Sequence, residues 1–187
     1  MQLTNDANWA AGGKANVEQI RTAFSEHEQE LTWLAEYLTG DVVMARACVI
    51  DARKRTEYEY EIGDEWFCSW PRDATILSAV ELQRTRIAQL AAIYDQCGCI
   101  HGRQGHLSPE TVEFVAGPTG LAGLRFDTLC RFVFVLCCLD ERSADEAALF
   151  LGISKHTVEG AYCKVLEALE LMCCQAICGS CGPDANN

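Results

Sequence analysis

Apolar residues recur at spacings of three and four along most of the chain, which is the period of a helix with one buried face. From Val17 this pattern predicts a first helix that ends near Gly40, a residue suited to the left-handed C-terminal position. The buried face and a neighbouring aromatic stripe of this helix comprise Phe24, Leu31, Leu34, Ala35 and Leu38, then Trp33 and Tyr37. Asp41 is a suitable N-cap for a second helix, which begins VVMARACVIDARKR.

A third helix is predicted over DATILSAVELQRTRIAQLAAIY, just after Pro71. Its inward positions are Ile76, Val80, Ile87, Leu90 and Ala91. The acidic stretch EYEYEIGDE precedes this helix and contains Gly63 and Asp64, which favour a loop.

The composition changes between Gly98 and Gly123, where glycines and prolines interrupt any long helical period and favour a linker. Beyond it, LRFDTLCRFVFVLCCL predicts a buried helix, because helical patterns flank FVFVL and the sequence offers no partner strand. We therefore expect an all-α protein. Its expected parts are a disordered tail at 1–16, a helical domain at 17–95, a linker at 96–123, a second helical domain at 124–172 and a Cys-rich tail at 173–187.

The stretch SADEAALFLGISKHTVEG, residues 143–160, predicts two short helices joined by a tight turn. Ser143 and Glu146 fit a capping box, Gly152 suits the turn, Ile153 fills the corner, and Ser154 caps the second helix. The inward residues of the second helix are then Val158, Tyr162, Val165 and Leu169. This combination is typical of a helix-turn-helix, and an ordinary helical hairpin in a bundle is the alternative.

The charge of the chain limits what this unit can bind. Lys and Arg number 15 against 27 Asp and Glu, for a formal net charge of −12, which repels phosphate backbones and favours basic or protein partners. Five positions of the second helix are expected to point outward, toward a DNA groove: Lys155, His156, Glu159, Gly160 and Cys163. Only Lys155 and His156 favour phosphate, so we expect weak DNA binding by the chain alone.

Longer stretches resemble a known family. LCRFVFVLCCLDERSADEAALFLGISKHTVEGAYCKVLEAL resembles region 4 of bacterial sigma factors of the extracytoplasmic-function group, in which Val-Phe-Val-Leu precedes a helix-turn-helix whose second helix begins Ser-x-x-Thr-Val. Residues 133–136 and 154–158 carry these features. LTWLAEYLTGDVVMARACVIDARKRT and WFCSWPRDATILSAVELQRTR resemble region 2 of the same group. The resemblance implies a region 2-like three-helix bundle and a region 4-like helix-turn-helix domain.

The resemblance also implies a function, namely regulation of transcription initiation by a protein that is not an enzyme and that binds RNA polymerase core and promoter DNA. The implied DNA-binding residues are Ser154, Lys155, His156, Thr157, Glu159, Gly160 and Lys164, together with Trp66, Trp70, Arg84 and Arg86. For the two tryptophans, packing at a helix start is the alternative. The implied polymerase-binding residues are Arg46, Val49, Ile50, Asp51 and Lys54. An anti-sigma or other protein partner is compatible with the same resemblance.

Several positions depart from the family pattern. Arg46-Ala47 stands where the family has an acidic pair, and Asp51 lies near the position of its Gln. After Thr-Val the chain continues Glu159-Gly160-Ala161, where the family carries basic residues. The alternative function is therefore a degenerate sigma-like protein that binds a protein partner, or senses metal or redox state, without DNA recognition.

Twelve cysteines are the remaining unusual feature. The N-terminus lacks the pattern of a secretory signal and no run of about twenty apolar residues occurs, so we expect a cytoplasmic protein, no membrane partner and reduced thiols. Five cysteines lie on predicted helices and are expected in the core: Cys48, Cys130, Cys137, Cys138 and Cys163.

The other cysteine clusters have spacings that suit a metal. They are Cys97-Gly-Cys99-Ile-His101 in the linker and, as the better candidate for zinc or copper, Cys173, Cys174, Cys178 and Cys181. Chance clustering in a Cys-rich chain is the alternative, and no other cofactor is expected. The four histidines lack a nucleophile or carboxylate at a telling spacing, which argues against an enzyme.

Overall fold

The computed structural model describes residues 17–61, 71–96 and 126–178. These residues are helical apart from short connections, and none of them forms a strand. The all-α prediction is therefore confirmed for this part of the chain. The tail at 1–16 and all but the first residue of the predicted linker at 96–123 lie outside the described residues; Gln96 is the last residue of a helix.

The chain divides into two compact units between Ile87 and Ala88. The first unit contains α1 (Val17–Glu26), α2 (Glu28–Thr39), α3 (Val42–Glu61) and most of α4 (Pro71–Gln96). The second contains α5 (Thr128–Val133), a π-helical segment (Phe134–Leu139), α6 (Ala144–Leu151) and α7 (Lys155–Cys178). The last turns of α4, residues 88–96, belong to the second unit, whereas the predicted domain at 17–95 includes them in the first.

The predicted junction between the first two helix patterns is confirmed in detail. Gly40 adopts φ 73°, in the left-handed region, and its N–H donates to the carbonyl oxygen of Glu36 at 2.8 Å. Asp41 Oδ1 accepts from the N–H of Met44 at 2.8 Å, so the carboxylate caps α3. The first predicted helix is divided at His27, which separates α1 from α2.

The core of the first unit contains the residues that the helical period placed inward. Phe24, Leu31, Leu34, Ala35 and Leu38 are buried, as are Ile76, Val80 and Ile87 of α4. Two polar contacts connect α4 to the other helices: Cys48 Sγ lies 3.2 Å from the carbonyl oxygen of Thr75, and Gln83 Nε2 donates to the carbonyl oxygen of Thr39 at 3.3 Å.

One boundary differs from the prediction. Helix α3 continues through Glu61, so residues 57–61 of the predicted acidic loop are helical. Glu57 explains part of the extension, because its carboxylate pairs with Arg21 of α1 at 3.0 Å and lies 3.8 Å from Arg53 one turn earlier. Gly63 and Asp64 lie outside the described residues.

The FVFVL stretch is helical, as predicted, but it is not a regular α-helix. From Phe134 the helix widens into a π-helical turn, in which the N–H of Asp140 donates to the carbonyl oxygen of Val135 at 2.9 Å. The side chains of Phe132, Val133, Phe134, Val135 and Leu136 are all fully buried. Burial on every side makes this segment the centre of the second unit, since a helix with an exposed face would show a polar stripe.

Candidate nucleic-acid interface

The predicted two-helix unit, α6 and α7, has the caps and the turn that its sequence predicts. Ser143 Oγ accepts from the N–H of Glu146, and the Glu146 carboxylate accepts from the N–H of Ser143 at 2.8 Å, which completes the capping box. These hydrogen bonds lower the pKa of Glu146. Gly152 adopts φ 66° at the end of α6. Ser154 Oγ accepts from the N–H of Thr157 at 3.1 Å and so caps α7.

The buried face of α7 matches the predicted face with one exception. Val158, Val165 and Leu169 are fully buried, whereas Tyr162 is half-buried. Ile153, predicted to fill the corner of the turn, is half-buried as well. The unit is therefore supported by a continuous apolar contact of α7 with α5 and α6.

The solvent-facing side of α7 offers little positive charge at its start. Lys155, His156 and Glu159 are exposed, as predicted. Lys155 Nζ pairs with Asp145 Oδ2 of α6 at 2.7 Å, and the hydrogen bond to that carboxylate raises the pKa of Lys155. Cys163, expected to point outward, is half-buried.

Two of the implied DNA-binding residues are buried. Thr157 is 1% exposed. Gly160, expected to point outward, is also buried, and a Cβ added there would lie 3.7 Å from Cδ1 of Tyr94. The expectation for Gly160 is therefore wrong, because the last turn of α4 covers this side of α7.

We call this contact the α4–α7 cluster; it comprises Tyr94, Asp95, Ser154, Thr157, Gly160 and Lys164. Asp95 Oδ1 accepts from Thr157 Oγ1 and, at 3.4 Å, from Ser154 Oγ. The two hydroxyl oxygens lie 2.6 Å apart. A carboxylate thus occupies the hydroxyl donors at the N-terminus of α7, where the helix dipole favours negative charge.

Tyr94 provides the apolar part of the cluster and connects it to α5. Lys164 Nζ lies 4.1 Å from the centroid of the Tyr94 ring, a cation–π contact. The Tyr94 hydroxyl lies 2.9 Å from Asp127 Oδ2 and 2.9 Å from Cys130 Sγ. Burial is the main cause that raises the pKa of Tyr94, so its hydroxyl stays protonated and can donate. Asp127 Oδ1 also accepts from the N–H of Cys130 at 2.9 Å and caps α5.

Sequence reasoning missed Tyr94 and Asp95 as site residues. Tyr94 is the last residue of the predicted helix and Asp95 follows it, and Asp95 is separated from Thr157 by 62 positions along the chain. No local pattern reports such a contact.

The implied polymerase-binding residues of α3 do not all share one surface. Arg46, Ile50 and Lys54 are exposed, and Val43 beside them is among the most exposed apolar side chains of the described residues. Val49 is buried in the helical core, so its side chain does not belong to the exposed face that carries Arg46 and Ile50.

Asp51 is half-buried, because its carboxylate accepts from Ser78 Oγ at 2.5 Å and pairs with Arg55 at 2.8 Å. It therefore serves to hold α3 against α4. On α4 itself, Arg84 and Arg86 are both exposed, and Arg84 pairs with Glu81. Trp66 and Trp70 lie outside the described residues.

The helical cysteines are less uniformly buried than predicted. Cys48, Cys130 and Cys138 are buried, whereas Cys137 and Cys163 are half-buried. Burial raises the pKa of Cys48, Cys130 and Cys138 to about 12 and that of Cys137 to about 11. Thiols held neutral in this way are poor nucleophiles and poor metal ligands.

The candidate metal cysteines fall mostly beyond the described side chains. Helix α7 extends through Cys178, so Cys173, Cys174 and Cys178 lie on its last turns rather than in a separate tail. Cys181 and the linker cluster at 97–101 lie outside the described residues. Among the residues that the structure describes, no three metal-ligating side chains come together.

Comparisons with known proteins leave the family open. No protein-family model matches this chain, and a search of the curated proteins finds no match. The resemblance to sigma factors consequently depends on the quoted motifs. In the described part of the chain, each helix is too short or too polar to cross a lipid bilayer.

Proposed function

We propose that this chain is a sigma-factor-like regulator of transcription initiation, which binds RNA polymerase core through α3 and promoter DNA through α7. The observation that carries the proposal is the doubly capped helix-turn-helix of α6 and α7. Its Ser-x-x-Thr-Val start lies at residues 154–158, and its turn has Gly152 in the left-handed conformation. Caps and a left-handed glycine occur in many helix pairs, so the support comes from their combination with the Ser-x-x-Thr-Val start.

The exposed apolar residues of α3 support the polymerase-binding part. Val43 and Ile50 lie seven positions apart and therefore on one side of the helix, with the small, exposed Ala47 between them. Arg46 and Lys54 flank this stripe. An exposed apolar stripe with a charged rim is the usual composition of a protein-binding surface.

The test of this part is co-purification with core polymerase. We expect the wild-type chain to be retained on immobilised core enzyme and Ile50→Asp to lose retention, because a charge would be buried in the interface. Leu82→Asp is the matched control, since Leu82 is 47% exposed against 48% for Ile50. Equal retention of both variants would remove α3 from the interface, and no retention of the wild type would refute polymerase binding.

A second candidate function has its own support. Asp145 and Glu159 are exposed around the start of α7, and Lys155 is already paired with Asp145. A surface of this charge fits a basic protein partner better than DNA. This supports the alternative, a degenerate sigma-like protein that has kept the scaffold and lost DNA recognition. Polymerase retention without any salt-dependent DNA shift, measured on the same samples, would favour the alternative.

A further inference from the structure

We infer that the last turn of α4 is an internal competitor of DNA, because Asp95 occupies the donors at the N-terminus of α7 that a backbone phosphate would otherwise use. This inference rests on the proposed function, since it takes α7 to be the DNA-facing helix. It adds a regulatory device, namely that DNA binding requires displacement of the α4–α7 cluster.

The first argument is the chemistry of the contact. Reading helices of helix-turn-helix proteins contact DNA through their N-terminal residues, and hydroxyls and amides at helix N-termini are common phosphate donors. Here Thr157 Oγ1 donates to the carboxylate of Asp95, and Ser154 Oγ lies 3.4 Å from the same oxygen. Asp95 therefore presents to α7 the same kind of oxygen anion that a phosphate would present.

The second argument is that Tyr94, the neighbour of Asp95, anchors the end of α4 to both α7 and α5. Tyr94, next to Asp95, packs against Gly160 and lies beneath the ammonium group of Lys164. Its hydroxyl reaches Asp127 and Cys130 at the start of α5. The carboxylate is thus fixed at the helix start by a buried aromatic anchor, and displacing it also releases Lys164 from the Tyr94 ring.

The third argument is charge. In the described part of the chain, Lys155 is the one Lys or Arg in the first turn of α7, and it pairs with Asp145. Asp95 adds a negative charge at the one end of α7 where the helix dipole attracts a phosphate. Removing this carboxylate should free the hydroxyl donors and should also reduce the repulsion between this end of α7 and a phosphate.

The decisive variant is Asp95→Ala in the full chain, which removes both side-chain oxygens, with Glu167→Ala as the control. Glu167 is exposed on α7 and lies outside the cluster, so the control changes the net charge equally without opening the contact. Binding is measured by the anisotropy of a fluorescent mixed-sequence duplex, over a series of salt concentrations. We expect Asp95→Ala to bind about fivefold more tightly, with a salt dependence steeper by roughly one phosphate contact.

Hydrogen exchange provides a readout that does not depend on DNA. The amides of residues 90–96 should exchange faster in Asp95→Ala, while those of α5 stay protected. Thr157→Val should have the same effect, because it removes the donor and keeps both the charge and the shape.

The outcomes separate the inference from the proposed function. Faster exchange together with tighter binding supports the inference, and unchanged exchange in both variants overturns it. Equal gains in binding for Asp95→Ala and Glu167→Ala would show that the gain comes from net charge alone and would also overturn the inference. If neither wild type nor variant binds the duplex, alone or with core polymerase, DNA binding itself is refuted. Retention on core enzyme tests the polymerase-binding part of the proposed function independently.

Discussion

The buried thiol of Cys48 makes the stability of the folded chain depend on pH. It is fully buried between α3 and α4, and desolvation, with a smaller contribution from Asp51, raises its pKa from 9.0 to about 12. Below pH 9 the thiol is neutral in both the folded and the unfolded chain. Above pH 9 it ionises in the unfolded chain first, so its contribution to stability is lost as the pH rises toward 12.

We therefore predict that the free energy of unfolding falls between pH 9 and pH 11. Each such thiol should contribute up to about 1.4 kcal/mol per pH unit. Urea denaturation at a series of pH values measures the slope. Cys48→Ala should be less stable at neutral pH but should show a shallower decline; identical slopes would mean that Cys48 does not titrate in this way.

The contribution of the Tyr94 hydroxyl to stability can be measured with a single substitution. Tyr94→Phe keeps the ring against Gly160 and Lys164 but removes the hydroxyl that contacts Asp127 and Cys130. We predict a loss of about 1–2 kcal/mol in the free energy of unfolding, because buried polar groups lose a partner. Tyr58→Phe is the control, since Tyr58 is 64% exposed and its substitution should change stability by less than about 0.5 kcal/mol. Equal effects of the two variants would contradict the role given to Tyr94.

At the scale of the element, Gly152 after α6 and Gly160 within α7 differ in what an added side chain would meet. Gly152 has φ 66° and open space around its Cα, so an added Cβ costs only backbone strain. Gly160 lies inside α7, and an added Cβ would reach Tyr94 at an ordinary van der Waals distance. The same substitution should therefore change stability in opposite directions.

We predict that Gly152→Ala destabilises the chain by about 1 kcal/mol, and that Gly160→Ala stabilises it by about 0.5–1 kcal/mol through helix propensity. Thermal and urea unfolding of the two variants, measured side by side with wild type, give the signs. A destabilising Gly160→Ala would show that α4 approaches α7 more closely than the 3.7 Å contact implies.

At the scale of the whole molecule, the net charge of −12 governs any encounter with nucleic acid. Glu159 is exposed on the solvent-facing side of α7, near Lys155. We predict that Glu159→Arg strengthens duplex binding and steepens its salt dependence, because a phosphate contact replaces a repulsion. Glu36→Arg makes the same change of charge on the exposed side of α2 and should have a much smaller effect. Equal effects would show that α7 is not the DNA-facing helix.

What the sequence alone determined about this protein are features set by residues that are close together in the chain. The helical period identified the buried faces of α2, α4 and α7, and the caps at Asp41, Ser143 and Ser154 each involve a hydrogen bond to a residue three positions away. Such interactions depend on neighbours in the chain, so a pattern of residues reports them directly.

Tertiary structure decided which faces stay available. The burial of Gly160 and Thr157 and the inward turn of Asp51 depend on residues of α4, which are distant in sequence. The π-helical turn that begins at Phe134 lies where the side chains are fully buried, and no pattern in the sequence predicted it. A helix with several apolar or small positions can present more than one face to a core, and only contacts between distant segments select the face that is covered.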